Sequence, residues 1–327
     1  MNNPEQEPVS DAATSGARFR GYSTEATYSG AVSFLRRPYS RSLDAIDLTV
    51  TGVPFDCATS NRPGTRFGPR AIREASILQG YDAPYGWDVN PITDLDISDH
   101  GDFGFDYGRL GEFPAALTRY MARIIDSGVT VLTFGGDHYI TYPILKAHSA
   151  AFGRLSLLQF DAHSDTWPDS DPERVDHGTM FYHAVREGLI DPEHSVQVGI
   201  RTSNPDTLGV NILDARQVHG EGPVRTARRI REILGDRPVY LSFDIDALDP
   251  AYAPGTGTPV WGGLTSAQAA TILRDLAGIN LVGMDVVEVS PPYDTTGATA
   301  VAGAHVATDL ICLWASGPRT SGDGADS

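Results

Sequence analysis

Six short runs of β-branched and large apolar residues recur along the chain with helical patterns between them, and this alternation constrains the fold more than any other feature. The runs cover residues 45–53, 129–134, 155–160, 195–200, 239–243 and 280–286. Each is too short for an ordinary helix and is bounded by turn-forming residues, which is how buried strands read. Apolar residues at helical spacing occupy 69–78, 112–127, 142–150, 225–234, 266–276 and 302–314. Strand and helix in series predict a three-layer α/β/α sandwich with a mostly parallel central sheet. In such sheets ligands gather beyond the carboxyl ends of the strands, so polar residues directly after each run are where chemistry is expected.

A chain of 327 residues can bury a large core without staples, and neither a low-complexity linker nor a repeat interrupts it. The expected organisation is an N-terminal arm over 1–30, mobile or strapped over a neighbouring subunit, one catalytic domain over 31–315, and a disordered tail over 316–327. With 25 Lys and Arg against 42 Asp and Glu, the formal charge is −17. That balance opposes a broad grip on nucleic acid or an anionic membrane and favours a small cationic substrate. The two cysteines, Cys57 and Cys312, make neither a disulfide framework nor a zinc spacing. No uninterrupted apolar run approaches the length of a membrane span, and the N-terminus lacks a secretory pattern, so a cytoplasmic protein is expected.

Three runs end in unusual polar sequences. Phe134 precedes Gly135-Gly136-Asp137-His138, Phe160 precedes Asp161-Ala162-His163-Ser164-Asp165, and Phe243 precedes Asp244-Ile245-Asp246. Alternate residues of an extended segment share a face, so Asp161, His163 and Asp165 can point together, as can Asp244 and Asp246. Any one of these motifs could be a cap or a turn. Four crowded carboxylates, however, repel unless they protonate or hold cations. With both imidazoles neutral, Asp161, Asp165, Asp244 and Asp246 sum to −4, which two divalent ions balance. Carboxylates and imidazoles without thiolate suit Mn²⁺, and paired Lewis acids sharpen a water near neutral pH.

These segments resemble the signatures of the ureohydrolase family, which contains arginases and agmatinases. The likeness extends to Gly52-Val53-Pro54-Phe55-Asp56, Arg66-Phe67-Gly68-Pro69-Arg70, Asp176-His177-Gly178-Thr179 and Glu288-Val289-Ser290-Pro291, and spans about residues 33–315. It implies an arginase-like fold, two Mn²⁺ per subunit and cleavage of a guanidinium group to urea and an amine. Position by position, His138, Asp161, Asp165 and Asp244 would hold one ion, and Asp161, His163, Asp244 and Asp246 the other. Asp161 and Asp244 would bridge. Glu288 matches the carboxylate that receives the guanidinium, His177 the histidine that protonates the departing amine, and Asp165 can accept a hydrogen bond from the nucleophile. Asp137 and His305 are expected to be supporting groups. The resemblance also implies a homo-oligomer, a trimer or hexamer.

Arginases of the family read the amino-acid end of their substrate with an Asn two residues past the Asp-Ala-His-x-Asp motif. Here Thr166 is followed by Trp167 and an acidic loop over 168–176. An acidic loop favours a free amine over a carboxylate, and wider stretches resemble bacterial agmatinases, so agmatine hydrolysed to putrescine and urea is the leading expectation. Guanidinobutyrate or guanidinopropionate hydrolysis is the alternative within the family. A metal-stabilised binding protein without catalysis is the alternative outside it.

Overall fold

The computed structural model describes residues 19–318 apart from Thr24 and Pro172. Eight strands, β1 (Leu48–Val53), β2 (Ile97–Asp102), β3 (Thr130–Gly135), β4 (Ser156–Phe160), β5 (Val196–Val198), β6 (Asn211–Leu213), β7 (Val239–Asp244) and β8 (Leu281–Val287), form one sheet in the order β2-β1-β3-β8-β7-β4-β5-β6. Every pairing between them is parallel. The chain builds outward from β1 and β3 to one edge and from β4 through β5 to the other, then returns to lay β7 and β8 between the halves. That return puts the reversal of strand order, where crevices form in open parallel sheets, in the middle of the molecule.

Helices α1 (Gly68–Ser76), α2 (Phe113–Ile125), α3 (Thr141–Phe152), α4 (Met180–Arg186), α5 (Ala215–Glu221), α6 (Pro223–Leu234), α7 (Ser266–Asp275) and α8 (Ala298–Ala315) cover both faces. Leu132 and Phe134 of β3, Leu158 and Phe160 of β4, and Leu241 and Phe243 of β7 pack with α1, α6, α7 and α8. The intervening Val131, Leu157 and Tyr240 pack with α2, α3 and α4. Two-residue alternation along each strand therefore feeds two cores, as the expected sandwich requires.

Two strands escape the sequence pattern. Only Ile97 of β2 is a large apolar residue, yet five of its six positions are buried. Two of its polar side chains are satisfied inside: Asp99 takes two bonds from the Arg73 guanidinium and one from the Phe34 amide, and Ser98 meets Thr49 at 2.7 Å. β6 is three residues long. Among the helices, α5 carried a readable signal, the capping box between Asp214 and Gln217.

α8 also departs from expectation. By length and composition it is apolar enough to cross a membrane, but 72% of it is buried inside the fold, against α1, α7 and β8. Most of residues 1–30 and of 316–327 lie outside the described residues. Within the described part of the arm, Arg20 pairs with Asp96 at 2.6 Å, and the Gly21 amide donates to the Ile92 carbonyl at 2.7 Å.

Candidate metal centre and active site

The central strands deliver the polar residues. β3 runs into Gly135-Gly136 and the turn His138–Ile140, β4 into Asp161, β7 ends at Asp244, and Glu288 follows β8. Phe160 and Phe243 are register partners, so Asp161 and Asp244 emerge side by side. At Gly136 a side chain is impossible: a Cβ would lie 1.8 Å from the Phe55 carbonyl oxygen. That close approach lets the Gly136 carbonyl accept the Glu288 amide at 2.9 Å and sets both loops at one height.

Two donor groups form and share Asp161: His138, Asp161 and Asp165 make one, and Asp161, His163 and Asp246 the other. His138 Nδ1 faces Asp165 at 2.9 Å, Asp161 Oδ2 at 3.0 Å and Asp244 at 3.3 Å. His163 Nδ1 faces Asp246 at 3.1 Å and the other oxygen of Asp161 at 3.5 Å. Asp161 thus offers one oxygen to each group. Asp244 gives Oδ2 to the His138 side, while its Oδ1 accepts the Asp246 amide at 2.8 Å.

Electrostatic conflict fills this cluster. Burial and the charge of Asp161 push the Asp165 carboxyl up to about 6. Burial, then Asp246 and Asp161, raise Asp244, and burial and Asp161 raise Asp246. Asp161 goes the other way: burial works against its charge, but the neighbouring His138 and His163 imidazoles hold it well below the usual carboxylate range. Divalent cations relieve such crowding by replacing repulsion with ligation. The donors fit that role. Nδ1 of His138 is buried and aligned for no hydrogen bond, although three carboxylate oxygens surround it, so its lone pair is free for a cation.

Glu288 and His177 stand beside the cluster. Oε1 of Glu288 accepts the His138 amide at 2.9 Å and meets His177 Nδ1 at 2.8 Å; Oε2 is buried with no hydrogen-bond partner among the described residues. Burial disfavours charge on His177, but the hydrogen bond and charge of Glu288 outweigh it and hold the imidazole up at about 9. Asp165 and Glu288 have φ of 52° and 62°, left-handed backbone that costs about 1–3 kcal/mol in a residue with a Cβ. Local bonds enforce it: the Asp165 carbonyl accepts the Phe181 amide, and Glu288 is held by Gly136 and His138.

All eight residues named from the sequence therefore come to one place. His163, Asp165, Asp244 and His177 line a single cavity of about 320 Å³ together with Ser60, Trp167 and Asp176. Asp137 is fully buried and accepts the Ala58 amide at 2.8 Å, bracing the 58–64 loop, whereas His305 lies on α8 in a separate surface groove. Burial pushes the Cys57 thiol up, opposite to what a nucleophile needs.

What the sequence did not disclose is the layer beneath. Thr133, Asp285, Ser242, Gln159 and Gln197 form one row across β3, β8, β7, β4 and β5, all fully buried. Asp285 receives hydroxyls from Ser242 at 2.6 Å, Tyr240 at 2.7 Å and Thr141 at 2.8 Å. With its proton committed to Asp285, the Ser242 oxygen accepts from His138 Nε2 at 2.8 Å. That bond fixes the tautomer and leaves Nδ1 unprotonated for ligation. Gln159 donates to Asp161 at 2.7 Å, and Gln197 to Gln159 and the Ser164 carbonyl, each at 2.6 Å. Arg201 clamps the Asp246 and Val260 carbonyls at 2.6 and 2.7 Å. A single polar residue inside an apolar run was the available signal.

Fold and site together define an α/β enzyme whose chemistry stands at the carboxyl edge of a parallel sheet, on a carboxylate and imidazole cluster suited to divalent cations. The model of the arginase family matches residues 46–312. The chain is 53% identical to an agmatinase of Chromobacterium violaceum, covering 90% of this chain and 91% of that one. A crystal structure of a hypothetical agmatinase from Burkholderia thailandensis superposes with a TM-score of 0.92 at 54% identity, covering 93% of this chain and 97% of that one. The proclavaminate amidino hydrolase of Streptomyces clavuligerus superposes with a TM-score of 0.81 at 38% identity, over 89% and 99% of the two chains. The chain belongs to the arginase family and is a ureohydrolase.

Proposed function

We propose that this enzyme hydrolyses agmatine to putrescine and urea with two Mn²⁺ per subunit, held by His138, Asp161, His163, Asp165, Asp244 and Asp246. Bound there, the ions would supply the Lewis acidity that makes water nucleophilic near neutral pH. The chain's own groups do the rest. The unpartnered Oε2 of Glu288 accepts a guanidinium N–H and places the planar group beside the cluster, a charge-assisted bond that also removes a buried orphan. Asp165 accepts a hydrogen bond from the attacking water, and His177 delivers a proton to the nitrogen that leaves, since an amide anion does not depart. The reading extends to a cytoplasmic homo-oligomer, trimer or hexamer, with no nucleic acid or membrane partner.

One observation carries the choice of substrate beyond the names of the relatives: among the described residues the cavity wall contains no Lys or Arg, and Asp176 is its one carboxylate outside the donor cluster. The Gly178 amide fixes Asp176 Oδ1 at 2.8 Å, while Oδ2 has only the exposed Arg174 at 3.8 Å. Half-exposed Trp167 stands next to it, tied to Gly178 by a backbone bond of 3.1 Å. A carboxylate beside an indole suits a primary ammonium, and a carboxylate tail would be repelled.

Urea release from agmatine, arginine and guanidinobutyrate after Mn²⁺ loading tests this. Agmatine is expected to be the preferred substrate, and Asp176→Asn is expected to raise its KM by about tenfold, the loss of one charge-assisted contact, with little change for guanidines bearing uncharged tails. Preference for guanidinobutyrate in the wild type sinks the assignment.

A further inference from the structure

We propose that Ser60 is the outer end of a proton relay that passes through His177 to the departing amine. The proposal rests on the hydrolytic reading above, but not on which amine departs. His177 is buried, with a side chain 10% exposed, and Ser60 is exposed at the cavity wall, so the hydroxyl is where the imidazole meets solvent. Ser60 Oγ lies 2.8 Å from His177 Nε2, and the Ser60 amide donates to the same nitrogen at 3.0 Å.

The amide is decisive for direction. A backbone N–H can only donate, so Nε2 is the accepting nitrogen of the ring, and the ring proton sits on Nδ1, which points at Glu288 Oε1 at 2.8 Å. The imidazole is therefore aimed: when neutral, its proton faces the guanidinium-binding carboxylate of Glu288 and its lone pair faces the solvent-side serine. Glu288 favours an imidazolium and the Ser60 amide opposes it, which suits a group that must part with a proton.

The loop that carries Ser60 is held in place on both sides. Ala58 is bound to Asp137, Asn61 donates to the Gly257 carbonyl at 2.9 Å, and Arg62 donates to the Thr256 carbonyl at 2.7 Å while lying 4.3 Å over the Tyr293 ring. No other hydroxyl bonds to His177 among the described residues.

The step balances. As the C–N bond breaks, its electron pair stays on nitrogen, which takes the Nδ1 proton, and the hydroxyl that becomes the urea carbonyl gives its proton to Asp165, which passes it to the freed amine; Nε2 takes the Ser60 proton, and Ser60 is refilled from bulk water. The ring resets when a fresh water entering the cavity gives a proton to Nδ1 and Nε2 returns one outward through Ser60. Each turnover moves one proton in and one out.

The test pairs Ser60→Ala with Ser60→Thr in the Mn²⁺-loaded full chain, on whichever guanidino substrate the wild type turns over fastest, so that a wrong choice of agmatine does not affect it. Ser60→Ala is expected to lower kcat about tenfold or more, part of the full effect of a general acid, with KM within about twofold, and small imidazole buffer is expected to restore part of that rate. Ser60→Thr is expected to keep the wild-type rate. ¹⁵N NMR of the resting wild-type protein titrated above pH 9, which needs no turnover, is expected to show the neutral His177 ring keeping its proton on Nδ1. Unchanged kcat in Ser60→Ala, a loss that buffer does not repair, or a ring proton on Nε2 overturns the relay. Absence of urea from every guanidino compound would instead overturn the hydrolytic reading, with the NMR result still deciding the ring's orientation.

Discussion

At His138, one side chain shows how this site is assembled. Its Nδ1 keeps a lone pair open to a cation only because Nε2 is made to carry the proton, and Nε2 carries it only because Ser242 has committed its own hydroxyl to Asp285. Removing either support leaves the ring free to change tautomer and leaves a buried polar group unpaired. Ser242→Ala and Asp285→Asn are therefore expected to weaken Mn²⁺ binding by about 10- to 100-fold, the usual cost of losing a partner behind a ligating histidine. Competition with a metallochromic chelator measures this without turnover. Affinity unchanged in both variants would show that the ring orients without them. The same residues mark the limit of sequence reading. The candidate ligands stood out as acidic and imidazole residues after apolar runs, whereas Ser242 and Asp285 lie inside the runs, and a strand sequence does not say which strand will lie beside it.

At the scale of the element, α3 and the strands beneath it trade polarity for packing. His148 is fully buried in α3; its Nδ1 meets the Ile144 carbonyl at 3.0 Å, and Nε2 has no partner. Its ring rests on Tyr240 of β7, and Gly283 of β8 is open enough to admit it, since a Cβ there would lie 2.3 Å from Nε2. Burial lowers the imidazole to about 4 from an ordinary 6.5. The folded protein thus keeps His148 neutral between those values while the unfolded chain binds a proton. Stability from this group is complete above about pH 6.5 and falls as pH drops toward 4, by up to about 3 kcal/mol at 1.36 kcal/mol per unit. In His148→Leu that part of the acid limb is expected to disappear from urea melts run between pH 4 and 7. An identical pH slope in the variant would assign the acid sensitivity elsewhere. Helical spacing located α3, but which of its residues face a strand depends on a partner almost a hundred positions away.

For the whole molecule, charge and ligation act together. A formal charge of −17 surrounds a cavity with no Lys or Arg in its wall among the described residues, so a dicationic substrate is drawn in by the field as well as by Asp176. Raising ionic strength from about 0.02 to 0.2 M shortens the screening length from roughly 20 to 7 Å and is expected to raise KM for agmatine severalfold while leaving kcat unchanged. An uncharged-tail guanidine should respond less, and equal salt sensitivity of the two would remove long-range attraction to the tail from the account.

From sequence alone came what depends on neighbours along the chain: runs of period two, runs of helical period, and acidic and histidine clusters placed directly after strands. These were enough for the layered fold, because strands separated by helices pair in parallel, and they named eight residues that lie together in the fold, because parallel strands deliver their carboxyl ends to one edge. The tertiary structure alone decided what depends on register. It put β2 inside despite its polar sequence, buried an apolar last helix that could pass for a membrane span, and lined Thr133, Asp285, Ser242, Gln159 and Gln197 into one row. It also set an exposed serine 117 positions from a buried histidine within one hydrogen bond. The physical reason is that a hydrogen bond is a matter of a few tenths of an ångström between segments distant in the chain, and no local pattern records such a distance.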